Sequence, residues 1–486
     1  MFLGIDIGTS EVKTLLLSET HEVIGVAGAA LEVSRPAPGH SEQSPESWWT
    51  GTQTALAALR TRHPEAYAAV SAIGLSGQMH GAVLLDKDDA VLRPAILWND
   101  VRSAAECLDL MTELPALPQL AGSLAMPGFT APKLRWLATH EPEVFSKVAK
   151  VLLPKDYVRL LLTGEYITDL SDASGTMWLD VAKRSWSPEL LALTGLSESH
   201  MPRLAEGSAP GGVLSASAAK LLGLRPGIVV AGGAGDNASS AIGMGAVQAG
   251  QGFLSLGTSG VLFVVTPSYQ PNAASATHAF CHAIPGRWHQ MSVMLSAASC
   301  LQWAAGALGV ASAGALEALA SQLSAAQQAE APLFLPYLSG ERTPHNDARI
   351  RGSFHGLSGG TDQAALAYAV IEGVSFGLTD GLKALQQAGS TVCRLSLVGG
   401  GARSAFWAQQ LASSLNIEIV THAESTAGGA LGAARLAWLA TGASEAMVCV
   451  PPAIDKIYQP DAAEQARLAP RYARFSALYQ ALKNIH

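Results

Sequence analysis

Two short stretches of the chain share one pattern of apolar and polar positions. Residues 2–7 and 12–17 are apolar runs separated by Gly8-Thr9-Ser10, and the same order returns in residues 254–265 around Gly257-Thr258-Ser259. An apolar run that resumes after such a turn is typical of a tight β-hairpin. The two turns begin 249 positions apart in a chain of 486 residues. We therefore predict two similar domains, one built around each hairpin.

The remaining periodicity predicts strands that alternate with helices in both halves. In the first half the predicted strands are 21–27, 72–76, 81–86 and 228–231, and the predicted helices are 44–63, 131–139 and 142–149. In the second half the predicted strands are 395–398 and 418–420, and the predicted helices are 291–308, 363–387, 404–415 and 428–440, with ordinary helices closing the chain. This alternation favours an α/β fold with partly parallel sheets. The boundary between the halves is predicted near residues 243–252.

The composition narrows the class of protein. Hydrophobic residues make up 49% of the chain and charged residues 14%, which is typical of a globular protein, and the length is too great for a single core. A net charge of −8 without a Lys/Arg-rich run argues against nucleic-acid binding. No apolar run reaches about 18 residues, so we expect no membrane span. Five scattered cysteines and no signal-peptide pattern favour a cytoplasmic protein.

Asp6 is a candidate for chemistry because it ends a strand directly before the first turn. A carboxylate there could hold Mg²⁺, largely through water, and the donors of Thr9 and Ser10 could bind a phosphate. The alternative is that Asp6 only caps the amides of its own hairpin. The second turn has Ser255 near the equivalent place, so only one half would hold the metal. Lys13 could reach a phosphate as a point charge or be an exposed strand lysine.

Asp236 follows a buried apolar strand and four small residues, 232–235. The glycines among them permit a ligand to approach the backbone closely. A carboxylate beside a sugar hydroxyl can accept its proton during phosphoryl transfer. Simple N-capping of the next helix is the alternative, but capping alone would not need so many glycines. We interpret Asp236 as the general base and place its neighbour Asn237 in the substrate site.

Two polar segments suit a sugar. Met79 and His80 lie between two predicted strands, and Trp98 and Asn99 follow a third. An indole offers an apolar face to a sugar ring or chain, and His and Asn offer hydrogen bonds to hydroxyls. A single histidine is more often structural, so His80 alone would not define a site. The polar loop 341–345 could be a mobile cover or an ordinary surface loop.

A run of three glycines and an alanine, 399–402, separates a predicted strand from a predicted helix. It matches neither the Walker motif nor the dinucleotide-binding fingerprint. The lack of side chains suits a flat ligand, such as adenine, lying on the backbone. A tight strand-to-helix turn without a ligand is the alternative.

The whole chain resembles the FGGY family of carbohydrate kinases. One family signature is similar to residues 128–140, Gly-Phe-Thr-Ala-Pro-Lys-Leu-Arg-Trp-Leu-Ala-Thr-His, and a second is approximated by residues 352–357 through 369–372. The resemblance implies two actin-like ATPase domains of the ribonuclease H-like type, residues 1–245 and 246–486, with a central cleft, and it implies ATP and Mg²⁺. It places these residues near the nucleotide: Thr258, Gln302, Gly400, Gly401 and Ser404. The two turns and the strand after the first one add Thr9, Ser10, Lys13 and Ser259 as candidates for binding the phosphates.

Within the family, four segments resemble members that phosphorylate D-xylulose: residues 76–81, 95–100, 154–157 and 338–345. Glycerol-specific members have Arg-Glu where Met79-His80 stand here, which argues against glycerol. The resemblance thus implies transfer of phosphate from ATP to D-xylulose, with Asp236 as base. A kinase for another ketose or a polyol, and a non-catalytic sugar or ATP sensor on the same fold, stay open. A homodimer is possible, and the sequence does not decide it.

Overall fold

The computed structural model describes residues 1–423 and 428–485. The strands of the first half are β1 (Phe2–Ile7), β2 (Glu11–Leu17), β3 (Val23–Ala30), β4 (Glu42–Gln43), β5 (Ala72–Gly77), β6 (Val83–Leu85), β7 (Ala95–Ile96), β8 (Lys150–Leu152), β9 (Ile167–Asp169), β10 (Leu179–Asp180), β11 (Ser185–Trp186), β12 (Arg203–Ala205), β13 (Pro210–Val213), β14 (Val229–Ala231) and β15 (Ala234–Gly235). Its helices are α1 (Pro45–Arg62), α2 (Pro64–Ala68), α3 (Ala104–Glu113), α4 (Leu117–Ala121), α5 (Thr130–His140), α6 (Pro142–Phe145), α7 (Pro154–Thr163), α8 (Leu170–Ser174), α9 (Pro188–Ala192), α10 (Ala216–Leu222) and α11 (Asp236–Gly243).

The second half continues with its own strands and helices. The strands are β16 (Gly252–Leu256), β17 (Gly260–Thr266), β18 (His278–Cys281), β19 (Trp288–Met294), β20 (Leu333–Leu335), β21 (Ser353–His355), β22 (Arg394–Val398), β23 (Glu418–His422) and β24 (Ile454–Tyr458). The helices are α12 (Ala298–Ala307), α13 (Ala313–Ala320), α14 (Ala325–Glu330), α15 (Gln363–Gln387), α16 (Ala405–Leu415), α17 (Gly429–Leu439), α18 (Glu445–Val448) and α19 (Ala462–Leu482).

Two central sheets, one in each half, have the same design. The first runs β13-β14-β5-β1-β2-β3, and the second runs β24-β23-β22-β16-β17-β19-β18. In each, an antiparallel hairpin (β1/β2 or β16/β17) adjoins a parallel strand (β5 or β22). Parallel neighbours end at the same edge, so each hairpin turn lies beside the chain that leaves the parallel strand. Both predicted hairpins and the α/β fold are confirmed.

Helix α17 comes from the second half but packs against the first sheet. A Cβ on Gly4 of β1 would lie 1.9 Å from the carbonyl oxygen of Ala430, and a Cβ on Gly74 of β5 would lie 1.9 Å from that of Ala433. Both strand positions therefore need glycine, because no side chain fits under the helix. This small-residue helix therefore packs inside the molecule and connects the second half to the first sheet.

The prediction of one long helix over residues 291–308 is wrong. β19 takes the first part of that range, and α12 begins only at Ala298. β19 pairs with β17 on one side and with β18 on the other. Backbone pairing on both edges overrides the helical pattern of the apolar residues, and local sequence cannot reveal that pairing.

Two further helix predictions need correction. The helix predicted over residues 142–149 ends at Phe145, because the Ala149 amide donates to the Leu85 carbonyl at 2.8 Å and leads into β8, which pairs with β6. The closing segment holds β24 as well as helices. Four of the five residues of β24 are exposed, so the strand lacks the apolar alternation that would have identified it.

Candidate active site

Asp6 lies next to the end of β1, one residue before Ile7 and two before the turn glycine. In the sheet it stands opposite Lys13 of β2 and Ser76 of β5. Burial raises the pKa of Asp6, while the neighbouring Ser76 hydroxyl and the charge of Lys13 act to lower it. The carboxylate therefore lies in an environment that favours an added positive charge.

Asp236 is the first residue of α11, and the two residues before it, β15, pair with Ser76 and Gly77 of β5. Both carboxylates thus flank the end of one strand. The pKa of Asp236 is raised to about 6, first by burial and next by the charge of Asp6. Two hydrogen bonds from Asn237 to its Oδ1, from the backbone N at 2.7 Å and from Nδ2 at 2.9 Å, oppose that shift.

The pair of carboxylates fits a magnesium ion. Oδ1 of Asp6 is buried and has no hydrogen-bond partner among the described residues. A Cβ on Gly429 of α17 would lie 2.6 Å from this oxygen, so glycine keeps the space beside it open. In the described part of the chain no three His, Cys, Asp or Glu side chains cluster as a metal site. One or two carboxylates, completed by water and phosphate, are what Mg²⁺ commonly uses in kinases.

The tips of the two hairpins carry free amides. The amides of Thr9 and Ser10, and those of Thr258 and Ser259, donate to no acceptor within residues 1–423 and 428–485. Successive free N–H groups in a turn form a concave site for an anion. Gly8 does not have a positive φ; it is needed because a Cβ there would lie 2.8 Å from the Glu11 carbonyl oxygen.

The structure places Met79 and His80 directly after β5, with Met79 against Gly235, the residue before Asp236. His80 has a φ of 71°, a strained value for a residue with a side chain. Its ring Nδ1 lies 2.7 Å from the Gly175 carbonyl oxygen, and burial lowers its pKa to about 3. Because a carbonyl only accepts, Nδ1 carries the proton, and the neutral ring presents Nε2 as an acceptor.

Residues 128–140, the segment similar to a family signature, contact the backbone of the predicted sugar-binding residues. Lys133 Nζ and Thr130 Oγ1 donate to the His80 carbonyl oxygen, at 2.8 Å and 3.2 Å. A Cβ on Gly128 would lie 2.1 Å from the Trp98 carbonyl oxygen. The signature therefore fixes the backbone of two predicted sugar-binding residues, which its sequence alone did not reveal.

A hydrogen-bond network joins the first hairpin to the predicted sugar residues. Trp98 Nε1 donates to Thr9 Oγ1 at 3.0 Å, and that hydroxyl donates to Gln78 Oε1 at 3.0 Å. Gln43 Nε2 donates to the Thr9 carbonyl oxygen at 2.7 Å. Sequence reasoning did not assign Gln43, because it lies far from every motif. The Trp98 side chain is 49% exposed. Oδ1 of the adjacent Asn99 is buried without a partner in the described structure.

In the second half, the glycines that follow β22 lie against the end of β16. A Cβ on Gly401 would lie 2.4 Å from Leu256 Cδ2, whereas one on Gly400 would meet nothing nearer than Arg403 Nη2 at 3.7 Å. The glycine loop is thus adjacent to the second turn, and Gly400 keeps open space above it. The Thr258 carbonyl oxygen accepts hydrogen bonds from Ala297 N and Ser299 Oγ, so α12 holds this turn.

Three residues predicted to lie near the nucleotide differ in exposure and in the hydrogen bonds and ion pairs that they already make. Gln302 is exposed on α12. Ser404 is buried, accepts from Trp407 N at 2.9 Å as the N-cap of α16, and donates to Glu317 Oε1 at 2.5 Å, so its hydroxyl is already engaged. The Lys13 side chain is 50% exposed, and its nearest acidic group, on Glu11, lies 3.8 Å away. The roles of all three residues stay predictions.

A buried charge cluster lies behind Asp236 and was missed at the sequence level. Lys155 Nζ contacts carboxylates of Asp156 at 2.6 Å and of Asp169 and Asp172 at 2.9 Å, and all four side chains are fully buried. Ser171, bonded to Asp169, accepts from Gly235 N at 3.2 Å. The cluster therefore supports the turn that presents Asp236. A Lys-Asp pair at the start of α7 was the available signal.

The duplicated sheets, each with a phosphate-type turn, and the paired carboxylates at the end of β5 are typical of a phosphotransferase of the actin-like ATPase fold. Residues 1–243 match the N-terminal domain of the FGGY family of carbohydrate kinases, and residues 252–441 match its C-terminal domain. The chain belongs to the FGGY family of carbohydrate kinases, and is therefore an ATP-using enzyme that phosphorylates a sugar.

Relatives agree over the full length. The chain is 50% identical over 484 residues to the xylulose kinase of Escherichia coli (strain K12), covering 99% of both chains. It is similar to the crystal structure of a "xyloylose kinase" from Brucella ovis, with a TM-score of 0.97, 51% identity and 100% of both chains covered. For the xylulose kinase from Rhodospirillum rubrum the TM-score is 0.92 at 30% identity, covering 99% of this chain and 98% of that one. No described helix is long and apolar enough to cross a membrane.

Proposed function

We propose that this protein transfers the γ-phosphoryl group of ATP to the terminal hydroxyl of D-xylulose, giving D-xylulose 5-phosphate and ADP. Its full-length relatives named xylulose kinase support the sugar. The observation that carries the chemistry is the pair Asp6 and Asp236 at the end of β5, where one carboxylate raises the pKa of the other. When the pKa values of two such carboxylates differ, one can bind the cation while the other accepts the proton.

Asp236 acts as the base. A pKa of about 6 leaves this carboxylate largely ionised at neutral pH and more basic than an ordinary aspartate. As the sugar oxygen bonds to phosphorus and the bond from phosphorus to the β-phosphate oxygen breaks, the hydroxyl proton passes to Asp236. The bonds from Asn237 to Oδ1 hold the carboxylate in one orientation, so its other oxygen is available to the hydroxyl.

Asp6 and the two turns bind the phosphates. Asp6 would hold Mg²⁺, and Asp236 could be a second ligand of the same ion. The bound Mg²⁺ would neutralise charge on the phosphate oxygens. The amides of Thr9, Ser10, Thr258 and Ser259 donate to phosphate oxygens, and the loop at Gly400 and Gly401 receives the adenosine. The Gln43–Thr9–Trp98 network couples the sugar side to the phosphate side of the site.

The test is ADP release by the purified protein with ATP and Mg²⁺ against D-xylulose, L-xylulose, D-ribulose, L-ribulose, D-fructose, xylitol, D-arabitol and glycerol. We expect a clear preference for D-xylulose. Preference for another sugar would keep the fold and the base but overturn the substrate. A protein that binds ATP yet shows no sugar-stimulated turnover would instead be a sensor.

Three further proposals accompany this function. We expect a cytoplasmic enzyme, since its five cysteines are all unpaired and four of them are buried. We expect no nucleic-acid partner, and a homodimer is possible. Size-exclusion chromatography with light scattering would measure the oligomeric state.

A further inference from the structure

Arg342 lies in a loop of the second half that is held rigidly against the edge of β19. Thr343 N donates to the Val293 carbonyl oxygen at 3.1 Å, and Val293 N donates to Thr343 Oγ1 at 3.1 Å. Thr343 Oγ1 also donates to the Ala276 carbonyl oxygen at 2.9 Å. Glu341 Oε1 accepts from Leu295 N at 3.0 Å. The backbone of Arg342 is therefore fixed on both sides.

The guanidinium of Arg342 has no partner among the residues that the structure describes. Within residues 1–423 and 428–485 it makes no side-chain hydrogen bond, and no carboxylate comes within ion-pair distance, although the side chain is partly buried. Arg471 is different: it is buried and bonds both oxygens of Glu372 at 2.6 Å. Because Arg342 is only partly buried, its guanidinium keeps access to solvent and has N–H groups available to a ligand.

The loop that carries this guanidinium lies beside a cluster of aromatic rings that includes the predicted sugar residue His80. Phe129 joins His80 and His278, with ring centroids 4.4 Å and 5.6 Å apart. His278 begins β18 two residues after Ala276, to which the Arg342 loop is bonded. The charge of Arg342 acts to lower the pKa of both histidines. Arg342 thus approaches the sugar site from the second half, at the His80 end.

The hydrogen-bond donors near His80 already have acceptors in the protein. His80 presents an acceptor at Nε2, Lys133 Nζ donates to the His80 backbone, and Trp98 Nε1 donates to Thr9. A sugar hydroxyl can satisfy the His80 acceptor, but a ketone oxygen accepts only and needs a donor. With the terminal hydroxyl at Asp236, the opposite end of an extended ketose carries that ketone.

We propose that Arg342 is a specificity-determining residue that donates to the ketone oxygen of the sugar and so selects ketoses over alditols. This inference rests on the proposed function, because it assumes a ketose with its terminal hydroxyl at Asp236. The fixed loop means that the second half reads the sugar while the first half carries the base. A guanidinium presents several N–H groups in one plane and matches a carbonyl well.

The experiment compares Arg342→Gln with wild type on D-xylulose and xylitol, which differ at the ketone. We expect kcat/KM for D-xylulose to fall about 10- to 100-fold and that for xylitol to change much less, so the ketose preference collapses. The Kd of D-xylulose without ATP, followed by tryptophan fluorescence, should rise by a similar factor. Arg342→Lys should recover part of the preference. Arg349→Gln, an exposed arginine in the same segment, is the matched control and should match wild type.

The outcomes separate this inference from the proposed function. Equal losses of Arg342→Gln on both substrates, or an unchanged preference, overturn the role of Arg342 while wild-type turnover of D-xylulose upholds the function. A wild type that neither binds nor phosphorylates D-xylulose overturns both. Tighter wild-type binding of a sugar acid such as D-gluconate, lost in Arg342→Gln, would assign the guanidinium to a carboxylate and overturn the ketone assignment.

Discussion

The two hairpins have the same backbone and different chemistry. When Gly8 is aligned with Gly257, Asp6 of β1 corresponds to Ser255 of β16. Their partners across the hairpin are Lys13 and Val261, so a charged pair in one half is replaced by an uncharged one in the other. At the tips of both turns, backbone amides donate to no acceptor in the described part of the chain. In the proposed function, phosphate binding thus depends on the shared backbone, whereas cation binding depends on Asp6, in whose place the second hairpin has Ser255.

The chain leaving the parallel strand differs in the same way. After β5 come Gln78, Met79 and His80, whose side chains form the predicted sugar site. After β22 come Gly400 and Gly401, whose bare backbone borders the second turn. One scaffold therefore presents side chains beside the first turn and bare backbone beside the second. The predictions that follow test this division.

The largest effect should come from Asp236, the proposed base of the first half. Asp236→Asn removes the base, so we expect kcat to fall about 10²- to 10⁴-fold. Steady-state kinetics measures this, with circular dichroism and ATP binding to verify the fold. A folded variant with near-normal kcat would contradict the base assignment.

Asp6→Ser would make the first hairpin resemble the second. We expect a loss of about 10²- to 10³-fold in kcat, because the charge on the phosphates loses its stabilisation. The apparent affinity for Mg²⁺, titrated at fixed ATP, should weaken in parallel. Ser255→Ala is the matched change in the second half and should stay close to wild type. Equal effects at the two positions would show that the halves are not divided as proposed.

The pH dependence of kcat/KM tests how strongly the two carboxylates, Asp6 and Asp236, interact. Burial and the charge of Asp6 raise the pKa of Asp236 to about 6, so protonation inactivates the base as the pH falls through that value. We expect kcat/KM to fall about tenfold per pH unit on the acid side. In Asp6→Ser the residual activity should begin to fall at a lower pH than in wild type. The reason is that removing the negative charge of Asp6 lowers the pKa of Asp236. A limb that does not move would place the carboxylates too far apart to interact.

Gly400→Ala tests the bare backbone of the second half. The space above Gly400 is open, so the protein should fold normally, but the methyl group would intrude on the adenosine. We expect the KM for ATP to rise a few-fold to about tenfold, with little change in the KM for the sugar. Gly401→Ala, which would clash with Leu256, should instead lower the melting temperature. An unaltered KM for ATP in Gly400→Ala would place the adenosine elsewhere.

Lys13→Gln should have the smallest effect. The side chain is half-exposed, and its ion pair with Glu11 is long, at 3.8 Å. Solvent screening limits what such a charge contributes, so we expect less than about a threefold change in KM for ATP. A loss of tenfold or more would move Lys13 into the phosphate site.

Much of this protein was determined by local sequence. The Gly-Thr-Ser turns between apolar runs identified both hairpins, and the small residues before Asp236 identified a carboxylate at the start of a helix, because turn geometry and apolar period are local properties. The strand over 288–294 could not be predicted, since pairing with β17 and β18 decides it. Exposed β24 gave no periodic signal at all.

Only the tertiary structure decided which distant groups meet. It brought Asp6 and Asp236, separated by most of the first half of the chain, to the end of one strand and so raised the pKa of one carboxylate. It also laid α17 across the first sheet, aligned the signature segment behind His80, and brought Arg342 of the second half to the same ring cluster. Sequence patterns encode neighbours along a strand or helix, but sheet pairing and packing across hundreds of residues set distance, burial and charge coupling, and on these the chemistry depends.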